Sequence, residues 1–477
     1  MNRFRGALIA LAALVVVGGG YAVITYNMPG PDEPVVDTPG LFAFEKEDLT
    51  GFRIVRPDVT IDVVKEGERW IWKDTTWRPS SSMVRRVGHQ MHDLTARASV
   101  ASGGETADYG LGEGAVEVEL QVGDKKLRFQ AGQPNPTSVS WYIRPTSGER
   151  EVYVVKKSAV DFWSMDVEDF RERRFASLDA DEADYVKAVV DGRTIEVRRV
   201  DERNWQMSEP VAQAADRQMV RTMLGRTASL RATSFVEDEP SDLSKYGLQT
   251  PRHSVIIHVG DLQPVTLHIG GVVPDSEPQE RYMLRVEDNS VFSARDSFLD
   301  AYMRDVGDYR DKVILGLHEF ELTEVISHRD GEVLQIMRGP DGWRWQDGAK
   351  ISGSTPSRLA SRVAEASARA FHDEELDAEV TGFAEPAGVV EVVSESGKRV
   401  MTFGASREIP VGVQQAPEVR RYVKVDGDAV VYEIDNAIFE NMEALFREHG
   451  RKVEKDAEKG LLEELPDGQV PPEQPGG

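Results

Sequence analysis

The stretch KYGLQTP, Lys245–Pro251, has the composition of a tight turn: a glycine free to take positive φ stands between an aromatic and an aliphatic residue, with proline four positions on. A near copy, DYGLGEG, lies upstream at Asp108–Gly114. Tyr109 and Tyr246 are 137 residues apart, and Phe383 in FAEPAGVVEVV follows after another 137. Four further landmarks keep nearly that period. Trp70, Trp205 and Trp343 step by 135 and 138, and Gly132, Gly270 and Gly404 by 138 and 134. Tyr142, Tyr282 and Tyr422 are 140 apart each time, and Tyr153, Phe292 and Tyr432 complete the set. Five markers in one order make an internal repeat of domain size, with a period too long for a solenoid.

Each copy carries the same local signals. Alternating runs such as ADYVKAVV and TIEVRRV flank a DG pair at Asp191–Gly192, the signature of a hairpin. A helical pattern follows each tryptophan strand. Its apolar face is Met83, Val84, Val87, Met91 and Leu94 in the first copy. In the second copy Asp216 is the expected cap, and in the third Thr355 precedes Pro356. More alternating runs come after the turn, and the segments AVDFWSM, DSFLDAYM and AIFENMEALF read as closing amphipathic helices. The expected fold class is therefore α+β: three tandem units of antiparallel sheet with covering helices, after one N-terminal transmembrane helix.

In the turn, tyrosine is expected to pack on the helix, glycine to take positive φ, and leucine to enter the buried face of the next strand. This gives a structural motif of Tyr109, Gly110, Leu111, Tyr246, Gly247, Leu248 and Pro251. The third copy lacks it as read from Phe383, which is followed by Ala384. Trp70, Trp205 and Trp343 recur at one position and are expected to join helix to sheet; Trp72, Trp77 and Trp345 are freer to face outward.

Residues Ala7–Tyr26, ALIALAALVVVGGGYAVITY, contain no charge over about the 20 residues that cross a bilayer, and Arg3 and Arg5 precede them. A retained anchor is expected, with the N-terminus in the cytoplasm and the bulk of the chain in the periplasm or outside. A cleaved signal peptide is disfavoured because bulky Tyr26, Asn27 and Met28 follow the apolar run. The expected organisation is a cytoplasmic end and anchor (1–27), a proline-rich spacer (28–40), units at 41–175, 176–316 and 317–452, and a flexible tail (453–477).

The net charge of −25 disfavours nucleic acid and anionic lipid surfaces, and the absence of cysteine excludes disulfides, thiolate catalysis and cysteine metal sites. No nucleophile elbow, Walker loop or dinucleotide fingerprint is present. His89 with His92, and His258 with His268, are the nearest approaches to metal pairs, and each lacks further ligands. The acidic triplets Asp373–Glu375 and Glu237–Glu239 read as solvated loops. No catalytic residue, cofactor or metal is expected.

The stretches NWQMSEP, KYGLQTP, LHIGG and RYMLRVEDNSVFSA resemble the bacterial domain-of-unknown-function family numbered 4340, most clearly from Tyr185 to Leu315. That resemblance implies an anchored envelope protein accessory to ATP-driven transport or to a gliding-type complex, and supplies no catalytic residues. The expected function is a non-catalytic interaction scaffold whose partner is an inner-membrane transport complex or another envelope protein. The alternative is an envelope hydrolase or carbohydrate-binding protein that uses carboxylates and exposed tryptophans.

Overall fold

The computed structural model describes residues 41–463, apart from 43, 103–105, 137, 147–150, 177–178, 352 and 412–415. The expected anchor and spacer lie outside the described residues. None of the described helices is long and apolar enough to cross a membrane.

Three large antiparallel sheets dominate. The first contains β1 (Leu49–Val55), β2 (Thr60–Glu66), β3 (Arg69–Trp72), β4 (Ala96–Ser102), β5 (Val116–Val122), β6 (Lys125–Pro134), β7 (Ser140–Pro145) and β8 (Glu151–Lys156), in the spatial order 3-2-1-5-6-7-8-4. The second contains β9 (Tyr185–Val190), β10 (Arg193–Arg199), β11 (Trp205–Glu209), β12 (Gln213–Ala215), β13 (Ser234–Asp238), β14 (His253–His258), β15 (Val265–Val272), β16 (Glu280–Arg285) and β17 (Ser290–Arg295), in the order 12-11-10-9-14-15-16-17-13. The third contains β18 (Leu322–Arg329), β19 (Glu332–Gly339), β20 (Gly342–Trp345), β21 (Ala370–His372), β22 (Gly388–Ser394), β23 (Gly397–Ile409), β24 (Glu418–Val425) and β25 (Val431–Asp435), in the order 20-19-18-22-23-24-25-21. The three orders are one topology. A meander builds one side, a helix follows, the next strand takes the far edge, and four more strands fill the gap.

By internal contact the chain divides into two compact units. One gathers the described residues up to Phe175 with Arg231–Lys245 and Tyr282–Ala294; the other gathers the described residues of Ala176–Leu230, Tyr246–Arg281 and those from Arg295 on.

Strand formation follows the alternation of side chains. In β9, β14 and β22 every second residue is buried and those between are half-exposed, the pattern of a sheet with one covered face. The β9–β10 hairpin turns through Asp191 and Gly192, both at positive φ, which matches the twist of the flanking strands.

The helices α1 (Ser81–His92), α2 (Arg217–Ala228) and α3 (Thr355–Ala364) occupy corresponding places in the three copies. The Ser80 hydroxyl accepts the Met83 amide at 3.3 Å, and the Asp216 carboxylate accepts the Met219 amide at 2.7 Å, each satisfying a free N-terminal donor. In the third copy the cap is Ser354, so Thr355 is the first helical residue. The first core joins Val87 and Met91 of α1 to Ile54, Ile61, Leu120 and Phe129 of the sheet, all fully or almost fully buried. The third joins Leu359 and Val363 of α3 to Val325, Ile336, Val390 and Phe403. Each such side chain contributes about 1.5–3 kcal/mol.

The α+β expectation is corrected: this is a mainly β molecule, with twenty-five strands among the described residues. The difference lies in the closing segments. AVDFWSM and DSFLDAYM form short 3₁₀ turns, at Asp161–Ser164 and Asp296–Ala301. Their apolar residues extend over too few positions to nucleate an α-helix, which needs several turns before propagation outweighs nucleation. Only the third copy makes a true helix, α4 (Ala437–Glu463), which carries Ile438, Met442 and Leu445 into the core and continues past residue 452.

Candidate ligand cleft and connecting residues

The turn that opens the sequence is built from two glycines per copy. Gly110 and Gly247 sit at φ 66° and 67°, the left-handed region that side chains disfavour. The second glycine lies on the strand against which the turn packs. A Cβ at Gly132 would stand 2.1 Å from the Tyr109 carbonyl oxygen, and one at Gly270 would stand 2.2 Å from that of Tyr246. In the third copy Gly382 has φ 73°, and a Cβ at Gly404 would stand 2.0 Å from the Thr381 oxygen. The third copy therefore keeps the turn as Thr381–Gly382–Phe383, two residues from the alignment on Phe383, with Phe383 in the place of Leu111 and Leu248. Both leucines are buried, and the Tyr109 ring meets that of Tyr142, on β7, at 4.8 Å in a tilted arrangement. Pro251 leads into β14.

Tryptophans divide by register. Trp70, Trp205 and Trp343 face Lys65, Arg199 and Arg338 across their hairpins. Arg199 lies over Trp205 at 5.0 Å and Arg338 over Trp343 at 4.8 Å, with both rings buried. Trp70 is only half-buried; Trp72 takes the core place and meets Trp77 edge-on at 5.1 Å.

Two arginines absent from the sequence motifs prove structurally central. Arg171, 6% exposed, bonds both oxygens of Asp238 at 2.6 and 3.0 Å, while its guanidinium lies 4.1 Å from the Trp77 ring and 3.7 Å from Phe235. Arg310, 2% exposed, repeats this with both oxygens of Asp373 at 2.7 and 3.0 Å and Phe371 at 3.9 Å. The backbone around them also repeats. The Ser80 and Asp216 amides donate to the carbonyls of Phe170 and Tyr309, and the Ala232 and Ala368 amides to those of Arg173 and Lys312. FRERRF (Phe170–Phe175) and YRDKVIL (Tyr309–Leu315) are thus connectors, extended at Arg171 and Arg310. In the third copy Arg447 stays on α4, 3.9 Å from Glu443. One residue of each acidic triplet, Asp238 and Asp373, serves as the receptor. The recurrence of an aromatic–arginine pair and of a phenylalanine near an aspartate was the available signal.

Beside the turn of the second copy lies an open cleft of about 540 Å³, lined in part by exposed Gly247, half-buried Gly271 and buried Gly270. Its polar side chains are Asp191, Thr250, Arg252, His253 and Arg281. His253 is 4% exposed. The Asp191 amide donates to His253 Nδ1 at 3.3 Å, which leaves the ring proton on Nε2. Nε2 is 4.0 Å from Asp191 Oδ1, outside hydrogen-bond range. Burial pushes the His253 imidazole below its ordinary range, and the nearby Asp191 carboxylate opposes this more weakly. Arg252 is 81% exposed and reaches Asp191 at 3.1 Å. Arg281 bonds Asp296 and the Gly270 carbonyl, each at 3.2 Å.

His253 pairs with Ile269, just before Gly270; Val116 and Gly388 hold the same register in the other sheets. At Gly388 a Cβ would meet the Met442 methyl at 2.7 Å, so α4 packs over that position in the third copy.

The histidine pairs do not converge. His92 bonds the Phe44 carbonyl at 2.6 Å while His89 is exposed. His258 packs on the Tyr185 ring, and His268 pairs with Ser254, about 13 Å along the strand. Among the described residues no group of three metal-ligating side chains occurs.

Two tandem stretches, residues 80–207 and 205–372, match the model of the family described as "Domain of unknown function (DUF4340)". No curated protein matches the chain. Among solved structures, K. pneumonia MrkH in its apo state is similar over 52% of this chain and 78% of its own, at 10% identity and a TM-score of 0.09, and carries no argument.

Proposed function

Because the chain belongs to the DUF4340 family, whose description names no activity, we propose that it is a non-catalytic, membrane-anchored scaffold outside the cytoplasm, accessory to an ATP-driven transport or gliding-type envelope complex. The observation that supports this reading is where the recurring polar side chains lie. Arg171 with Asp238 and Arg310 with Asp373 join consecutive copies, and the recurring glycines form turns. The second-copy cleft holds one carboxylate, Asp191, where hydrolysis of a glycosidic bond asks for two at about 5–10 Å. Asp62 and Glu119, on the first sheet, are paired with Arg53 and with Lys126 and Arg128, and the Lys126 and Arg128 hydrogen bonds hold the Glu119 carboxyl below its usual range.

Crosslinking in intact cells, followed by identification of the captured proteins, tests the proposal. Capture of a permease or its ATPase supports it; capture of wall fragments alone overturns it in favour of the hydrolase or carbohydrate-binding reading.

A further inference from the structure

We infer that the second-copy cleft is a binding site for a carboxylate at the end of a short extended chain. Three observations carry this, and none depends on the scaffold reading. First, the imidazole of His253 lines the cleft while almost wholly buried, its Nδ1 is occupied by the Asp191 amide, and its Nε2–H has the nearest carboxylate oxygen at 4.0 Å. A donor in this state gains from an acceptor brought by a ligand. Second, Arg252 and Arg281 stand on the lining; Arg281 is already paired with Asp296, so Arg252, held only by its exposed pairing with Asp191, is the cation free to exchange partners for an arriving anion. A single carboxylate suits one such cation, whereas a dianion meets Asp191. Third, Gly247, exposed, and Gly271, half-buried, put backbone without a side chain on the lining, which lets an extended chain approach closely, as in recognition of peptide carboxyl ends. A volume of about 540 Å³ admits a few residues rather than a single ion.

The site belongs to the second copy alone among the three. Val116 offers no donor at the corresponding register, and the place beside Gly388 is filled by Met442. The carboxylate is placed between the Arg252 guanidinium and His253 Nε2–H; Arg252 exchanges its exposed pairing with Asp191 for the ligand. Arg281 keeps its bonds to Asp296 and to the Gly270 carbonyl.

Isothermal titration of the full-length protein in detergent tests this with three probes: acetyl-Ala-Ala-Ala as the free acid, the same peptide as its C-terminal amide, and N-acetylalanine. The free acid is expected to bind with a Kd of about 0.1 mM or tighter, and the amide about tenfold more weakly or worse. Tighter binding of the tripeptide than of N-acetylalanine assigns the site to a peptide end; equal binding assigns it to a small free acid. Arg252→Gln, an exposed position that leaves the fold intact, is expected to weaken the free acid about tenfold. His253→Phe should abolish binding with an unchanged circular dichroism spectrum. Equal affinity for acid and amide, no binding of the acid at 10-fold above that Kd, or an unaltered affinity in Arg252→Gln overturns the inference.

Discussion

Removing Asp373 should damage the protein more than removing the arginine it binds. Arg310 is 2% exposed and its Nε has no partner, so the two hydrogen bonds to Asp373 and the Phe371 face are what compensate its buried charge. Asp373→Ala leaves that guanidinium buried and uncompensated, a loss of about 3–5 kcal/mol. Arg310→Met is milder. Asp373 is 43% exposed and returns to water, while methionine fills the space beside Phe371, so about 1–2 kcal/mol is lost. The double variant should therefore resemble Arg310→Met. Since a chain of several units does not unfold in two states, the assay is hydrogen exchange followed by mass spectrometry on the peptide containing the Ala368 amide, which bonds the Lys312 carbonyl in the same connector. Asp373→Ala should accelerate exchange there by roughly 10²–10³-fold. If Arg310→Met accelerates it as much as Asp373→Ala does, or if Asp373→Ala changes nothing, the desolvation argument is wrong.

Three other outcomes are expected. Gly270→Ala places a methyl 2.2 Å from the Tyr246 carbonyl and should lower local stability by about 1–3 kcal/mol; Gly247→Val, strained at φ 67°, should cost about 1 kcal/mol or more, both read as faster hydrogen exchange in the peptides of that turn and of β15. Burial lowers the folded-state pKa of His253 below its unfolded value, so the unfolded state binds the proton first. Stability should be complete above about pH 6.5 and fall as the pH drops from there toward the folded pKa, and His253→Gln should remove that part of the slope in pH-dependent melting. Protease added to spheroplasts should digest the chain beyond Tyr26 while the untreated protein stays in the membrane fraction through a high-salt wash; protection would reverse the orientation, and release of a trimmed soluble chain would remove the anchor.

Periodicity made the repeat legible from sequence alone, because each copy must solve the same packing problem with the same special residues. Two glycines per copy, such as Gly247 and Gly270, reflect local demands on the backbone: positive φ at one and a close carbonyl at the other. Strand alternation and the helices after Trp70, Trp205 and Trp343 are local signals of the same kind. The closing segments misled because a few apolar residues fit one turn of either helix type, and only contact with the sheet decides between a 3₁₀ turn at Asp161–Ser164 and a long helix at Ala437–Glu463. The third turn is masked in the sequence because threonine stands at 381 where the other copies have tyrosine, and the nearest aromatic, Phe383, lies two residues on. Nothing local marks Arg171 and Arg310 as buried, since their partners lie 67 and 63 residues away. The cleft beside His253 is likewise a tertiary product: PRH at 251–253 reads as an ordinary strand start, and its meaning comes from the hairpin at Asp191 and the glycine strand at Gly270 meeting it in space.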